Sequence, residues 1–413
     1  MNQKTTTTTF QSKPRPLPIQ AYNLLGKGLK KMGLGVKLEE NSLLRAARNK
    51  NKLSDFGEGD FITPLRKLLQ SIREEARLHA FGEFITKIRL VGILENRLRA
   101  TYYFKKHPEI LEQEVDPLWV ITGLQRTGTT KLHRLLSADP TTRSLFSWEA
   151  LNPAPIIGKE QQKPDPRIRL AQNSEKGLRY IAPDFFAIHP VEHNAPEEEV
   201  LLLDTSFIST VPEATMHVPS FAKWVENQDQ TPAYEMMQKM LKLLQWQHRG
   251  KRWILKTPHH LEFLDTLIQV FPGTKIIHTH RNPVVTLASF CSMVYHGRRI
   301  FSDQVSPEEV GQHWHQKICR MLQKAQEYRQ NHPETPVIDL YYDHLIKNPL
   351  SEIQRIYTFA GIAWEESLEE KLQETLDQNP PNKYGIHHYQ LQDFGLEEAK
   401  VKKDFEAYLE NFA

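Results

Sequence analysis

Cysteine is nearly absent: Cys291 and Cys319 are the only two among 413 residues. They cannot build a disulfide framework and neither stands in a metal-spaced pair, so both are expected to be buried or partly buried thiols in a reducing compartment. Also missing is any apolar run approaching the roughly 18 residues that span a bilayer. The opening Met-Asn-Gln-Lys and its five threonines lack the apolar stretch of a signal peptide. A cytoplasmic chain is expected. An excess of charge is lacking too, since 53 Lys and Arg against 50 Asp and Glu leave a net +3. That is too little for a nucleic-acid partner, so any anion site must be local. No repeat of fixed period occurs. What is present, 39% apolar and 25% charged residues, suffices for a sizeable core.

Residues 1–20 are polar, threonine-rich and proline-containing, which predicts a disordered tail. Residues 21–112 divide into a basic arm and a helical region. In the arm, Lys27, Lys30, Lys31 and Lys37 alternate with Leu24, Leu25, Leu29, Met32 and Leu34, and no acid precedes Glu39. Two readings stay open for segment 24–37: a solvated arm packed on its own domain, which Gly26, Gly28, Gly33 and Gly35 favour, or a peripheral contact with a membrane surface. From Pro64 to about Phe104 apolar residues recur every three or four positions, predicting helices. Beyond His107-Pro108, residues 113–413 change character. Leu118–Ile121, Trp253–Leu255, Lys275–His278 and Val337–Tyr341 are short apolar runs alternating with helical stretches. They predict an α/β fold with a central parallel sheet flanked by helices.

The loop after the first run reads Gly123-Leu124-Gln125-Arg126-Thr127-Gly128-Thr129-Thr130. Between a strand and a helix, such a loop turns backbone N–H groups and the helix dipole toward an anion. Its glycine spacing is that of a nucleotide P-loop. The lysine expected after Gly128 is replaced by Thr129, whereas a cation, Arg126, stands inside the loop. That substitution disfavours a nucleoside triphosphate and points to another phosphorylated donor.

Here the sequence resembles the sulfotransferase family that uses 3′-phosphoadenosine 5′-phosphosulfate. Gly123 to Thr130 resembles its 5′-phosphosulfate loop. Thr279-His280-Arg281-Asn282-Pro283 followed by Ser289 resembles its 3′-phosphate motif. Arginine suits a phosphate because its planar fork donates two parallel hydrogen bonds. Trp253 to His260 resembles the segment holding the family's catalytic histidine, and Tyr341 to Gly361 a structural block. Lys383-Tyr384-Gly385 through Leu396 resembles the C-terminal signature of the broad bacterial branch. The resemblance implies a P-loop-like fold and a donor site of Gly123, Gln125, Arg126, Thr127, Gly128, Thr129, Thr130, Arg281, Ser289 and Lys383. It departs from the better-known cytosolic enzymes at Arg126, where they have lysine, and at Lys256-Thr257-Pro258-His259-His260, where they have Lys-Thr-His.

The implied reaction is in-line transfer of a sulfuryl group to a hydroxyl, less readily an amine, releasing adenosine 3′,5′-bisphosphate and requiring no metal. Arg126 would stabilise charge on the departing oxygen. His260, with His259 second, is expected as the base, the alternative being a helix cap. In Glu197-Glu198-Glu199 most of the charge is expected at a solvated helix start, but the resemblance singles out Glu198 as base or as the group orienting His260. The proline-rich, aromatic stretch about 148–240 is the expected acceptor side, favouring a hydrophobic small molecule or lipid, although its aromatics could form an ordinary subsidiary core. His189-Pro190-Val191-Glu192-His193 matches a zinc-peptidase pattern, but Pro190 and Pro196 break the helix it needs. The pairs His278/His280 and His313/His315 show no third ligand. A kinase, which would need the missing lysine and magnesium carboxylates such as Asp339 and Asp343, and a non-catalytic nucleotide-binding protein are the competing classes.

Overall fold

A computed structural model describes residues 14–115, 118–248, 252–378 and 389–412. Five parallel strands form one sheet in the order β2-β3-β1-β4-β5: β1 Trp119–Gly123, β2 Thr142–Ser144, β3 Arg252–Lys256, β4 Lys275–His280 and β5 Val337–Tyr341. The continuous apolar runs arise because both faces are covered. Val120, Leu255 and Ile276 enter one hydrophobic cluster, whereas Trp119, Ile121, Ile254 and Ile277 enter another on the opposite face. The strand period of two thus divides each run between two cores.

Four of the five strands coincide with the predicted runs. The exception, β2, has no apolar signal because polar bonding holds it: Thr142 donates to the Leu136 carbonyl at 2.8 Å, and Arg143 pairs with Glu149 at 2.7 Å and lies over Trp253.

Helices Leu17–Lys31, Glu40–Asn51, Ile62–Glu75 and Ala80–Lys106 form the N-terminal region. The first begins inside the segment expected to be a disordered tail, so residues 17–20 are helical; residues 1–13 lie outside the described residues. Its glycines do not break it. Gly26 meets the Ala80–Lys106 helix so closely that a β-carbon there would come within 2.2 Å of the Ala80 β-carbon. Between β2 and β3 the chain is helical, ending in Thr231–Gln247. Phe207 and Phe221 from this stretch are buried in the core, the ordinary fate of such aromatics. Among the described residues no helix is long and apolar enough to cross a membrane.

The order β3-β1-β4 brings the carboxyl ends of three strands side by side, where open parallel sheets bind ligands. β1 and β4 run in register with Gly123 opposite Thr279. Gly123 has φ 152°, and a β-carbon on it would lie 2.5 Å from the Thr279 carbonyl oxygen and 2.2 Å from its hydroxyl. Gly123→Ala must therefore push backbone against backbone. A loss of about 2 kcal/mol or more is expected by denaturant unfolding, together with weakened nucleotide binding.

Candidate active site

The two motifs far apart in sequence meet above β1 and β4. Arg126 has φ 70°, a left-handed conformation that a non-glycine residue seldom adopts and that marks a constrained loop. Its carbonyl accepts from Arg281 Nη1 at 2.8 Å, and its own Nε donates to Ser289 Oγ at 3.1 Å. Thr127 Oγ1 donates to the Leu124 carbonyl at 2.6 Å and lies 2.7 Å from Thr279 Oγ1. Arg281 also stacks on Tyr342, with 3.8 Å from guanidinium carbon to ring centroid. Gly128, at φ 88°, caps the Thr129–Leu136 helix. Ser289 lies two turns into the Pro283–Arg298 helix, as its spacing predicts.

These groups line a cavity of about 260 Å³ whose wall includes Gln125, Arg126, Gly128, Thr129, Thr130 and Arg281, with Lys131, His189, Glu198, Met293 and Tyr342. Gln125 turns a buried side-chain oxygen toward no hydrogen-bond partner. Three cations converge there without a matching set of carboxylates, which is the charge balance of an anion site. Burial pushes Lys131 below the ordinary lysine value. Lys383 lies outside the described residues.

The structure redistributes the expected catalytic groups. His260 is fully buried and both ring nitrogens are engaged: Nε2 lies 2.8 Å from Glu199 Oε1 and Nδ1 lies 2.7 Å from the Tyr234 hydroxyl. The carboxylate accepts, so Nε2 donates to Glu199, and Nδ1 is engaged by the tyrosine hydroxyl. This His260 does not reach the cavity, and the expectation that it is the base is not carried by the geometry. His259 is buried beside Tyr234 and Phe263 with no partner on either nitrogen, and burial holds its pKa well below the usual value. Neither histidine caps the Leu264–Val270 helix, whose N-cap is Phe263; both lie in the 3-10 turn Pro258–Glu262, whose N-cap Thr257 accepts from the His259 N–H at 3.3 Å through its hydroxyl.

The three consecutive glutamates are not a solvated helix start. The 193–197 segment bonds along the chain after β2, with Ser147 N–H to the Ala195 carbonyl at 2.9 Å and Glu197 N–H to the Leu145 carbonyl at 2.7 Å. This draws the acids inward. Burial raises the pKa of Glu197. Glu199, fully buried, accepts from the Lys256 N–H at 2.7 Å and orients His260, the task expected of Glu198. Glu198 instead faces the cavity, paired with Lys256 Nζ and accepting from Thr257 Oγ1 at 3.2 Å.

His189, missed as a site residue, lies beside this carboxylate, and burial pushes its pKa down to about 4 against the opposing pull of Glu198. The zinc-like pattern around it diverges: Glu192 pairs with Arg134 and His193 with Glu175. Lys131 was equally legible as a cation three residues after Gly128, but helical spacing assigned it to the helix. His278 and His280 do acquire a third neighbour, Asp339. Arg329 already bridges that group, 2.7 Å and 2.8 Å from the two Asp339 oxygens and 3.2 Å from His278 Nδ1. A larger cavity of about 920 Å³ lies elsewhere, beside Lys317, and contains no residue of either donor motif.

Fold and cavity together describe a P-loop-like α/β protein with a cation-lined cavity at the carboxyl edge of its sheet. The sequence model of the sulfotransferase family matches residues 117–366, and the chain belongs to that family. Stf3 of Mycobacterium bovis, named an omega-hydroxy-beta-dihydromenaquinone-9 sulfotransferase, is 25% identical over 256 residues, covering 60% of this chain and 63% of its own length. The Mycobacterium tuberculosis protein of that name matches to the same extent. The chain thus spans less than two thirds of the length of these curated relatives. The crystal structure of sulfotransferase STF1 from Mycobacterium tuberculosis superposes with a TM-score of 0.80 at 30% identity, covering 90% of this chain and 99% of that one. STF9 from Mycobacterium avium, at 22% identity and a TM-score of 0.82 over 91% and 97% of the two chains, has the same fold.

Two outcomes follow for stability. Tyr234→Phe leaves His260 Nδ1 buried without its partner and should cost about 1–3 kcal/mol in denaturant unfolding. His189 and His79 are both held neutral down to about 4 from an ordinary 6.5. The unfolded chain therefore binds protons first, and stability should be unchanged by these groups above 6.5 but fall progressively as pH drops toward 4. Melting temperature against pH measures this, and His189→Asn should flatten the slope.

Proposed function

We propose that this chain transfers a sulfuryl group from 3′-phosphoadenosine 5′-phosphosulfate to a hydroxyl of a hydrophobic acceptor. The observation that carries the reading is the single cavity in which Arg126 and Arg281 stand with Glu198 and His189. Arg281 and Ser289 suit the 3′-phosphate, and the residues from Gln125 to Thr130 suit the 5′-phosphosulfate. Arg126, bonded to Ser289 and offering its carbonyl to Arg281, ties the two subsites. The bound nucleotide supplies the activated sulfuryl group. The protein's part is to neutralise charge on the departing phosphate oxygen through Arg126, Lys131 and the loop N–H groups.

Glu198 is assigned the acceptor's proton. It is the carboxylate on the cavity wall, fixed by Lys256 and Thr257, and the low pKa of His189 keeps that ring neutral and able to orient a hydroxyl. His260 becomes a positioning residue. Through Glu199, which also accepts from the Lys256 N–H, it fixes the strand end that carries Lys256. A hydrophobic acceptor accords with Met293 and Ile346 on the cavity wall and with the lipid-quinone alcohol in the name of Stf3. The unpaired thiols of Cys291 and Cys319 suit a cytoplasmic setting. A kinase reading gains nothing: Asp339 is held by Arg329 and His280, and neither it nor Asp343 lines the cavity.

Calorimetric titration with adenosine 3′,5′-bisphosphate, against ATP with magnesium, tests the donor site. Metal-independent binding of the bisphosphate, weakened at least about tenfold in Arg281→Ala, is expected from loss of a bidentate phosphate contact. Preference for ATP overturns the reading. Glu198→Gln should lower kcat by about 10²- to 10⁴-fold while leaving bisphosphate binding nearly unchanged. Full activity in that variant would return the base to a histidine.

A further inference from the structure

The N-terminal helix is mounted inside out. Leu17–Lys31 packs on the Ala80–Lys106 helix through Tyr22, Asn23 and Gly26. Asn23, 8% exposed, accepts from the Phe81 N–H at 2.9 Å, so the packing stripe holds a tyrosine ring, an amide and a glycine but no leucine. At 100° per residue the opposite face carries Leu17, Leu24 and Leu25, which are 78%, 75% and 69% exposed. Met32 and Leu34 continue it beyond the helix end. Lys27 and Lys31 border this apolar face one turn apart, and no acid occurs before Glu39.

We propose that this outward face docks on an anionic lipid bilayer and that the acceptor is taken from that surface. The proposal rests on the hydrophobic acceptor argued above. Exposed leucines beside lysines suit the boundary between acyl chains and anionic headgroups, where apolar burial and charge attraction add. A second copy of this chain would bring lysines against lysines, so charge complementarity selects the lipid surface.

A second observation concerns the start of this helix. A second cavity is lined by Pro14, Arg15 and Ile19 at the start of the helix, and by Phe185, His296 and Ile300. Phe185 belongs to the Pro183–Ile188 helix, which ends at His189, and its ring stands 5.8 Å from the His189 ring. His296 lies one turn beyond Met293 on the Pro283–Arg298 helix. His189 and Met293 are walls of the donor cavity. The Pro183–Ile188 and Pro283–Arg298 helices thus run from this cavity to the donor cavity, and Phe185, packed against Gly297, lines the first and touches His189 of the second.

The test is sedimentation of the full chain with vesicles of phosphatidylcholine alone and of phosphatidylcholine with phosphatidylglycerol. Binding to the anionic vesicles, weakened by salt and reduced at least about tenfold in Leu24→Glu/Leu25→Glu, is the expected result. Both leucines are exposed, so the fold should survive, and unchanged adenosine 3′,5′-bisphosphate binding by the variant checks this. Failure of the wild type to sediment, or equal sedimentation of the variant, overturns the proposal. So does a wild-type dimer that the double substitution makes monomeric without any vesicle binding. Loss of bisphosphate binding in the wild type would instead strike the sulfotransferase reading, which separates the two failures.

Discussion

The arginine-lined cavity depends on one close approach, that of β1 to β4 at Gly123 and Thr279. Without a side chain at Gly123 the strands stay in register to their last residues, and the chains leaving them are forced to share a small volume. The consequences are local and successive. Thr127 reaches Thr279, the loop turns through a left-handed Arg126, and the Arg126 carbonyl meets Arg281. Two positive side chains are thereby held near each other before any ligand arrives. The cost of that repulsion is met by the fold and recovered when an anion enters, which is how a preorganised electrostatic site differs from a flexible basic patch.

A second constraint acts one strand over. Three successive carboxylates cannot share one environment, because burying like charges together raises the cost of each. The backbone parts them: Glu197 turns toward Ser147, Glu198 to the cavity and Lys256, and Glu199 inward to His260. Buried ion pairs contribute little net stability over apolar packing, but removing one partner strands the other charge. The Glu199–His260 hydrogen bond and the Lys317 ion cluster, where one lysine lies 2.6 Å from Glu262 and 3.2 Å from Glu226, each leave a buried polar group unpaired if broken, and so specify geometry. In the first case the specified geometry is the end of β3, which carries Lys256 and Thr257.

Sequence disclosed what repeats or what resists substitution. The four apolar strands were legible because packing on both faces of the sheet favours short apolar runs, and the glycine-bearing loop because its glycines permit backbone shapes that other residues rarely adopt. β2 was illegible because Thr142 and Arg143 are held by hydrogen bonds that no periodicity encodes. His260 misled for a related reason. Its place after β3 was legible, but burial and partners are tertiary facts, and these leave a buried imidazole behind and a half-buried carboxylate, Glu198, on the cavity wall. Which of Glu197, Glu198 and Glu199 would face the cavity depended on the pairing of 193–197 with the chain after β2, which lies outside any local pattern.

The inverted helix extends this argument to the surface. A soluble helix gains its stability by turning apolar residues to the core, and each leucine left in water forgoes about 1.5–3 kcal/mol of burial. Here the packing stripe holds a tyrosine ring, an amide and a glycine and the leucines are left out, with Lys27 and Lys31 beside them. Each lysine near an anionic surface contributes about 1 kcal/mol, so a few leucines and lysines together give an attachment that is real but reversible. Reversibility is what the chemistry asks for. On the proposed function the nucleotide donor is water-soluble and the apolar acceptor would reside in lipid. A permanently inserted anchor would hold the enzyme in one phase; a shallow contact lets it load from both.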